Sequence, residues 1–403
     1  MSLSFQKEME ITTMGYLHGI DKVELIRKCL EDNPSWKQEA FAQLQELFKY
    51  MVDINASDMD FGGPRANNKI WFRVHGEKFP DNSLPEFTAD EAIALLLSIL
   101  SDTQRTKLFE NKNVDFAYSM QCTKHQKDFR FRGDIYFERN TLAANFRLIS
   151  QKIFKIETLG IPKQIIKRLD LEHEKSGLFL VTGITGSGKS TTLDSIIDMN
   201  NEKNKAQIIL IGNPIEYIHK SKKCIISHRQ VGEDVISFLH GTHESLRQDP
   251  DIIVVGEMRD APTITTVLGV TDSGHKVFST LHSSSTVDSI YRLIAEFPPV
   301  EQERIRYRLA DVLKVVISQK LVPTIAGERT LAKEILSVNQ FVQAAIRNNN
   351  ISEIFQMITE GKDKGMFTMQ QDLYRLYKQK IITAQTAMNY ANNRKVMGRL
   401  LQY

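Results

Sequence analysis

The stretch "GLFLVTGITGSGKSTTL", residues 177–193, constrains the fold more than any other part of the chain. It fits the pattern G-x-x-x-x-G-K-[ST] without a mismatch, after an apolar run that predicts a strand and before "STTLDSIIDM", which predicts a helix. Glycines let backbone N–H groups wrap an anionic phosphate, and the helix N-terminus adds partial positive charge. We expect a phosphate-binding loop formed by Gly183, Thr185, Gly186, Ser187, Gly188, Lys189, Ser190 and Thr191.

The loop predicts the roles of two of its side chains. Lys189 would reach the β- and γ-phosphates of ATP, and the Ser190 hydroxyl would bind Mg²⁺. The alternative is a chance glycine-rich turn. The strand, loop and helix follow one another in the required order, and this order favours the phosphate site.

A P-loop enzyme needs a second carboxylate at the end of another buried strand. "DPDIIVVGEMRD" provides one, because the apolar run Ile252–Val255 is followed by Glu257. We expect Glu257 to orient water or to lie on the Mg²⁺ side.

Arg247 and Arg259 flank this strand and are candidates to stabilise transition-state charge, within one subunit or in a neighbour. A surface salt bridge explains either arginine about as well.

Glu216 follows the apolar run "AQIILIG", in the stretch "IGNPIEYIH". Alone, this stretch would be a polar turn. The P-loop upstream and the Glu257 strand downstream place Glu216 among strand ends that face one nucleotide, so we expect it to be a catalytic carboxylate.

In "SGHKVFSTLHSSST", His275 precedes a strand and His282 ends it. This spacing does not suit zinc, whereas a neutral histidine could hydrogen-bond a phosphate oxygen or a catalytic carboxylate; a purely structural histidine is the alternative.

Composition narrows the class of protein further. The 403 residues are too many for one typical core, and 52 Lys and Arg against 49 acids leave a net charge of only +3. A dedicated nucleic-acid or membrane-surface protein is therefore not expected. The three cysteines are scattered, which argues against a disulfide framework or a zinc site. No apolar run has the length of a signal peptide or a membrane span, so we expect a cytoplasmic protein.

The pattern of elements predicts an α/β fold with a largely parallel sheet, preceded by a smaller α+β domain. Five strands, "GLFLVTG", "AQIILIG", "DIIVVGE", "KVFSTLH" and "LAKEILSV", alternate with helical segments. We expect a helical N-terminal extension over residues 1–35 and the α+β domain over 36–150. A linker with a leading helix would span 151–175, the main domain with C-terminal helices 176–380, and a helical tail 381–403.

Together these motifs resemble those of the PilT/GspE-type pilus and secretion ATPases. "GITGSGKSTTL" is similar to their Walker A motif, "IGNPIEY" to their Asp box, "DPDIIVVGEMRD" to their Walker B motif and "SGHKVFSTLHSSST" to their His box. "INASDMDF", "AAIRN" and "GMFTM" resemble the retraction branch, PilT and PilU. The four-cysteine zinc site usual in extension ATPases is absent from this sequence. The resemblance implies a RecA-like P-loop ATPase domain preceded by a PAS-like domain.

The resemblance also implies a homohexamer that hydrolyses ATP with Mg²⁺ to power type IV pilus retraction. Arg132 and Arg147 stand where the family places arginines that reach a neighbour's nucleotide phosphates, and a solvated strand face is the alternative. The implied partners are the cytoplasmic domain of an inner-membrane platform protein and a paralogous retraction ATPase, without nucleic acid or membrane insertion.

The Asp box departs from the family pattern. Where the family usually has two acids before the proline, this chain has Gly212 and Asn213, and Glu216 remains. Two alternatives therefore stay open: a DotB-like secretion or conjugation ATPase, and a PilU-like accessory ring with weak hydrolysis.

Overall fold

In the computed structural model, the described residues are 3–13, 17–122, 127–149 and 152–402. The chain divides into two units, one ending at residue 151 and the other beginning at Lys152. Each unit has a hydrophobic core of its own. Within the described ranges, no helix is both long and apolar enough to cross a membrane.

The first unit is an antiparallel sheet with helices packed against it. Its strands are β1 (Asp58–Gly62), β2 (Trp71–Val74), β3 (Glu77–Pro80), β4 (Asn113–Cys122), β5 (Lys127–Glu138) and β6 (Thr141–Ile149). Their order is β3-β2-β1-β6-β5-β4, and all neighbouring pairs are antiparallel. Its helices are α1 (Gln6–Thr13), α2 (Gly19–Asp32), α3 (Pro34–Asp53), α4 (Ala89–Ser98) and α5 (Asp102–Asn111).

The described part of the N-terminal segment belongs to the core of this unit. Leu3 and Phe5, just before α1, and Val23 and Ile26 on α2 are buried in the same cluster as the apolar residues of α4. The backbone N–H of Leu3 also donates to Glu91 Oε1 on α4, at 3.2 Å. The segment is therefore held by apolar burial and by a buried hydrogen bond.

The second unit contains a mostly parallel sheet. Its strands are β7 (Gly177–Thr182), β8 (Gln207–Gly212), β9 (Ile225–Gln230), β10 (Ile252–Val255), β11 (Lys276–Leu281), β12 (Leu313–Pro323) and β13 (Arg329–Ser337). Their order is β13-β12-β7-β11-β10-β8-β9. Every neighbouring pair is parallel except β12 with β13. The fold class predicted from the sequence is confirmed.

The helices of this unit follow and precede the strands, as crossover connections require. They are α6 (Lys163–Leu169), α7 (Lys189–Lys203), α8 (Phe238–Ser245), α9 (Ala261–Asp272), α10 (Thr286–Ala295), α11 (Pro299–Val312), α12 (Gln340–Arg347), α13 (Ile354–Glu360), α14 (Met369–Lys378), α15 (Ala384–Tyr390) and α16 (Arg394–Leu401). The last three helices share a small apolar core with β12 and β13, so the C-terminal tail folds onto its own unit.

The parallel pairing places four functional segments at one edge of the sheet. Strands β7, β10 and β11 are buried along their whole length, as expected for a parallel sheet covered on both faces. Thr182 pairs with Leu281, and Val255 with Ile211. The carboxyl ends of β7, β8, β10 and β11 therefore lie side by side, and ligands bind at such an edge in open α/β sheets.

Candidate active site

The phosphate loop connects β7 to α7, and its shape depends on glycine. Gly183 has a φ of 151°, and a Cβ there would lie 2.4 Å from Ser187 Oγ and 2.5 Å from Gln319 O. Gly186 has a φ of 76°. These conformations and close approaches exclude larger residues, so the backbone can curl around a phosphate.

Lys189 lies at the first position of α7 and points back into the loop. Its Nζ donates to Gly183 O at 2.8 Å and to Ile184 O at 3.1 Å. Burial lowers the pKa of Lys189, and the negative charges of Glu257 and Glu216 oppose that shift. Two predicted carboxylates therefore act on the same ammonium group.

Glu257 follows β10 and contacts two other predicted residues. Its Oε2 lies 2.7 Å from Arg259 Nη2, and its Oε1 lies 3.6 Å from His282 Nε2. Burial is the main cause that lowers the pKa of His282, followed by the positive charge of Lys189. His282 is therefore neutral at pH 7 and can orient the Glu257 carboxylate without neutralising it. A cleft of about 100 Å³ opens beside these residues.

Glu216 lies in the loop after β8, and the packing of this loop bears on the unusual sequence before it. Gly212 ends β8, and a Cβ at this position would lie 3.1 Å from Ile215 Cγ1. Ile215 itself is buried. A larger residue at position 212 would require Ile215 to shift.

Two predicted residues stand at the opposite edge of the sheet. His275 precedes β11, where Lys276 pairs with Gly177 at the start of β7. Its Nδ1 lies 3.0 Å from Ser273 Oγ and 3.2 Å from Val270 O. The structure therefore places His275 away from the phosphate loop of its own chain, and its contact with a nucleotide stays a prediction.

Arg247 stands at that same edge. It is exposed in the turn between α8 and β10. The neighbouring Gln248 O accepts a hydrogen bond from Gln207 Nε2 at the start of β8. Arg247 is therefore also remote from Lys189 within one chain, and any role in phosphate chemistry requires another copy.

Arg132 and Arg147 lie in the first unit, directly opposite each other on β5 and β6. Arg132 forms a two-point ion pair with Asp115, with its Nε 3.0 Å from Oδ1. Arg147 Nε donates to Asp58 Oδ1 at 2.8 Å. The two arginines line a groove of about 330 Å³ with Asn113, Asp115, Asp134 and Asn145. The register puts both guanidinium groups on one face, where carboxylates already pair with them.

Gln319 on β12 is a residue that the motifs do not reveal. Its side chain is fully buried, and its Nε2 donates to Ser187 O in the phosphate loop at 3.0 Å. It lies 132 residues from Ser187 in sequence. Only the pairing of β12 with β7 brings the two together.

The residues present fit a nucleotide with Mg²⁺. The loop is open to a phosphate because side chains are absent where the backbone must approach, and its lysine donates to two loop carbonyls. The exposed Ser190 hydroxyl and the Glu257 carboxylate are oxygen donors of the kind that Mg²⁺ prefers. Ser190 and Glu257 would hold the ion, Glu257 partly through water.

The fold and this edge define a P-loop ATPase built on a RecA-like α/β domain. The family model described as "Type II/IV secretion system protein" matches residues 43–397. The chain belongs to this family.

Individual relatives cover most of the chain. A twitching motility protein of Neisseria gonorrhoeae is 38% identical, over 81% of this chain and 85% of the relative. A type IV pilus retraction ATPase of Pseudomonas aeruginosa is 34% identical, over 86% of this chain and 98% of its own. The crystal structure of the pilus retraction motor PilT with bound ADP matches with a TM-score of 0.79 and 38% identity, over 88% and 98% of the two chains.

Proposed function

We propose that this protein is an ATP-hydrolysing motor that powers retraction of a type IV pilus by driving depolymerisation of the pilin fibre. One observation carries the proposal: Lys189, Glu216 and Glu257 interact at one edge of the sheet. The chain also matches two relatives named for pilus motility, over 81% and 86% of its own length. Intact carboxylates favour a protein with its own hydrolytic activity over an accessory ring.

Hydrolysis at this edge would depend on positioning and electrostatics. The backbone N–H groups of the phosphate loop bind the phosphates, and the Lys189 ammonium neutralises their charge. Glu216 and Glu257 accept hydrogen bonds from the attacking water and align it with the γ-phosphate. Mg²⁺, when bound by Ser190 and Glu257, supplies further charge neutralisation. The neutral His282 orients the Glu257 carboxylate.

The proposed assembly is a homohexameric ring in which neighbouring copies share ATP sites. Arg259 is suited to such a role because its side chain is 73% exposed although it contacts Glu257. Arg132, Arg147 and Arg247 would act on a neighbour's nucleotide. To do so, Arg132 and Arg147 must leave or share the carboxylates of Asp115 and Asp58. The ring would work in the cytoplasm against the cytoplasmic domain of an inner-membrane platform protein.

The first test is steady-state ATP hydrolysis by the full chain and by two isosteric variants, Glu216→Gln and Glu257→Gln. Each variant loses a carboxylate charge but keeps its shape, so kcat should fall about 100-fold or more while the KM for ATP changes little. Glu303→Gln, at an exposed position on α11, is the matched control and should retain wild-type turnover. Wild-type turnover by both active-site variants would contradict the assignment of the two carboxylates.

A second measurement tests the machine that the motor serves. Cells that carry only Glu257→Gln should extend pili but fail to retract them, as followed by fluorescently labelled pili. Normal retraction combined with loss of a secreted substrate would instead support a secretion ATPase.

A further inference from the structure

The loop that carries Glu216 pairs with no strand in the described part of the chain, so other contacts must fix it. The chain leaves β8 at Gly212 and runs without regular structure through His219. Near its start, Gln230 Oε1 on β9 accepts a hydrogen bond from the Ile215 N–H at 3.2 Å. The Ile215 side chain is 4% exposed. These contacts hold the residue before Glu216, but they do not connect it to the phosphate loop.

His219 holds the other end of this loop. Its side chain has no exposed surface, and its Nε2 lies 3.0 Å from Asp194 Oδ1 on α7. Its backbone N–H donates to His228 Nε2 on β9 at 3.0 Å. The ring of Tyr217 packs edge-on against it, with the ring centroids 4.7 Å apart. Backbone and side chain are thus both tied down.

The direction of the hydrogen bond to Asp194 follows from the surroundings. His219 Nδ1 is buried and has no hydrogen-bond partner within the described part of the chain. A proton on Nδ1 would be a buried, unsatisfied donor, so the geometry favours the tautomer in which Nε2–H donates to the carboxylate. A histidine donor to a carboxylate is a charge-assisted hydrogen bond, which is stronger than a neutral one.

Asp194 connects this bond to the nucleotide site. It lies four residues after Ser190 and five after Lys189 on α7, and residues four apart share one face of a helix. Glu216 lies three residues before His219. The bond therefore joins the helix that begins in the phosphate loop to the loop that carries the carboxylate. The negative charge of Glu216 acts on the Lys189 ammonium group, and the same group donates to Gly183 O in the phosphate loop.

We propose that His219 and Asp194 form a positioning pair that fixes Glu216 relative to Lys189 and the bound phosphates. Neither residue touches the nucleotide in this assignment, and both act through the elements that they join. The inference rests on the proposed ATPase function. A carboxylate misplaced by about 1 Å can cost on the order of 100-fold in rate, so the pair should affect kcat far more than ATP affinity.

The test compares substitutions that break the bond with one that preserves it. His219→Leu and Asp194→Ala remove the donor and the acceptor, whereas His219→Gln keeps a side-chain N–H at about the reach of Nε2. We expect kcat for ATP to fall about 10- to 100-fold in the first two variants, with KM changed by less than about threefold. His219→Gln should recover most of the lost rate. His243→Leu, at an exposed position on α8, is the control.

The double variant His219→Leu/Asp194→Ala separates a shared role from two independent ones. If the residues act as a pair, its kcat should be no lower than that of the single variants. Additive losses in the double variant, or a wild-type kcat in His219→Leu, would overturn the proposal. Asp194→Ala alters a partly exposed helix position and keeps the test informative if His219→Leu does not fold.

Thermal unfolding and binding of a fluorescent ADP analogue are measured on every variant. Loss of rate that follows loss of folded protein, with no recovery in His219→Gln, would assign His219 a structural role only and overturn the proposal. Failure of the proposed function is distinct, since the wild-type chain would then hydrolyse no ATP. An active wild type whose kcat is unaffected by these substitutions refutes only the positioning pair.

Discussion

Gln319 and Ser187 keep buried polar atoms unpaired beside the phosphate loop. Gln319 Oε1 and Ser187 Oγ are both buried, and neither has a hydrogen-bond partner among the described residues. Such atoms cost free energy, and they concentrate where function requires them. The Nε2 of the same amide donates to Ser187 O, which fixes the orientation of this loop carbonyl. The Gln319 side chain therefore helps to fix the shape of the phosphate loop.

Replacing this amide should weaken nucleotide binding. Gln319→Leu leaves Ser187 O without its donor, and an unsatisfied buried carbonyl costs about 1–3 kcal/mol. Because the phosphate loop binds ground state and transition state alike, the KM for ATP should rise about tenfold or more, with a smaller change in kcat. Titration with a fluorescent ADP analogue measures the affinity directly. Gln385→Leu, exposed on α15, serves as the control, and equal affinities for both variants would contradict this role.

At the scale of elements, Lys276 joins the first helix of the second unit to the sheet. It lies fully buried at the start of β11, and its Nζ donates to Arg168 O and Glu174 O, both at 2.8 Å, and to Asp170 O at 3.3 Å. The ring centroid of Phe179 lies 4.1 Å away. These carbonyls lie at the end of α6 and in the turn that follows it, so one side chain ties this segment to the start of β11.

Burial lowers the pKa of Lys276 to about 7 despite the nearby Glu174 and Asp170 charges. The unfolded chain holds this proton up to about pH 10.4, so between pH 7 and 10 the unfolded state binds more protons. The free energy of unfolding should therefore rise with pH in this window, by up to about 1.4 kcal/mol per pH unit. Well below pH 7 both states hold the proton, and this contribution is constant.

Urea unfolding at pH 7, 8 and 9 checks this sign. Lys276→Met removes the titrating group, so the stability of the wild type relative to this variant should increase with pH. Lys362→Met, at an exposed position, should give a curve parallel to that of the wild type. Parallel curves for Lys276→Met would show that Lys276 keeps the same charge in both states.

The strands show which elements a sequence pattern can predict. All five strands predicted for the second unit are present, because each is an apolar run bounded by turn residues. β12 was not predicted, since α11 ends at Val312 and β12 begins at Leu313 with no Gly or Pro between them. β9 was also not predicted, because burial does not alternate along this strand and most of its residues are only partly buried. The failure to predict β12 affects the site, because β12 carries Gln319.

Across the whole molecule, the sequence predicts contacts made within a motif better than contacts made between distant segments. The phosphate loop is local, and parallel pairing alone brings Glu257 to the same edge as Lys189. His219 and Gln319 depend on contacts across 25 and 132 residues, to Asp194 and Ser187. No spacing rule connects such pairs, so only the folded chain reveals them.

Arg132 and Arg147 of the first unit are paired with Asp115 and Asp58. If they complete the ATP site of a neighbouring copy, Arg147→Ala and Glu257→Gln rings should each be inactive. Mixed rings of the two variants would contain sites with an intact Glu257 from one copy and an intact Arg147 from the next.

Random mixing of equal amounts would make such sites about a quarter of the total, which sets the largest expected recovery of ATP turnover relative to wild type. The experiment denatures neither variant: the two are mixed as dissociated subunits, allowed to assemble, and assayed against each variant alone. Asp115→Asn, which releases Arg132 from its pair without removing it, should not lower turnover in its own rings. Recovery no greater than the mean of the two separate variants would place the function of Arg147 within its own chain.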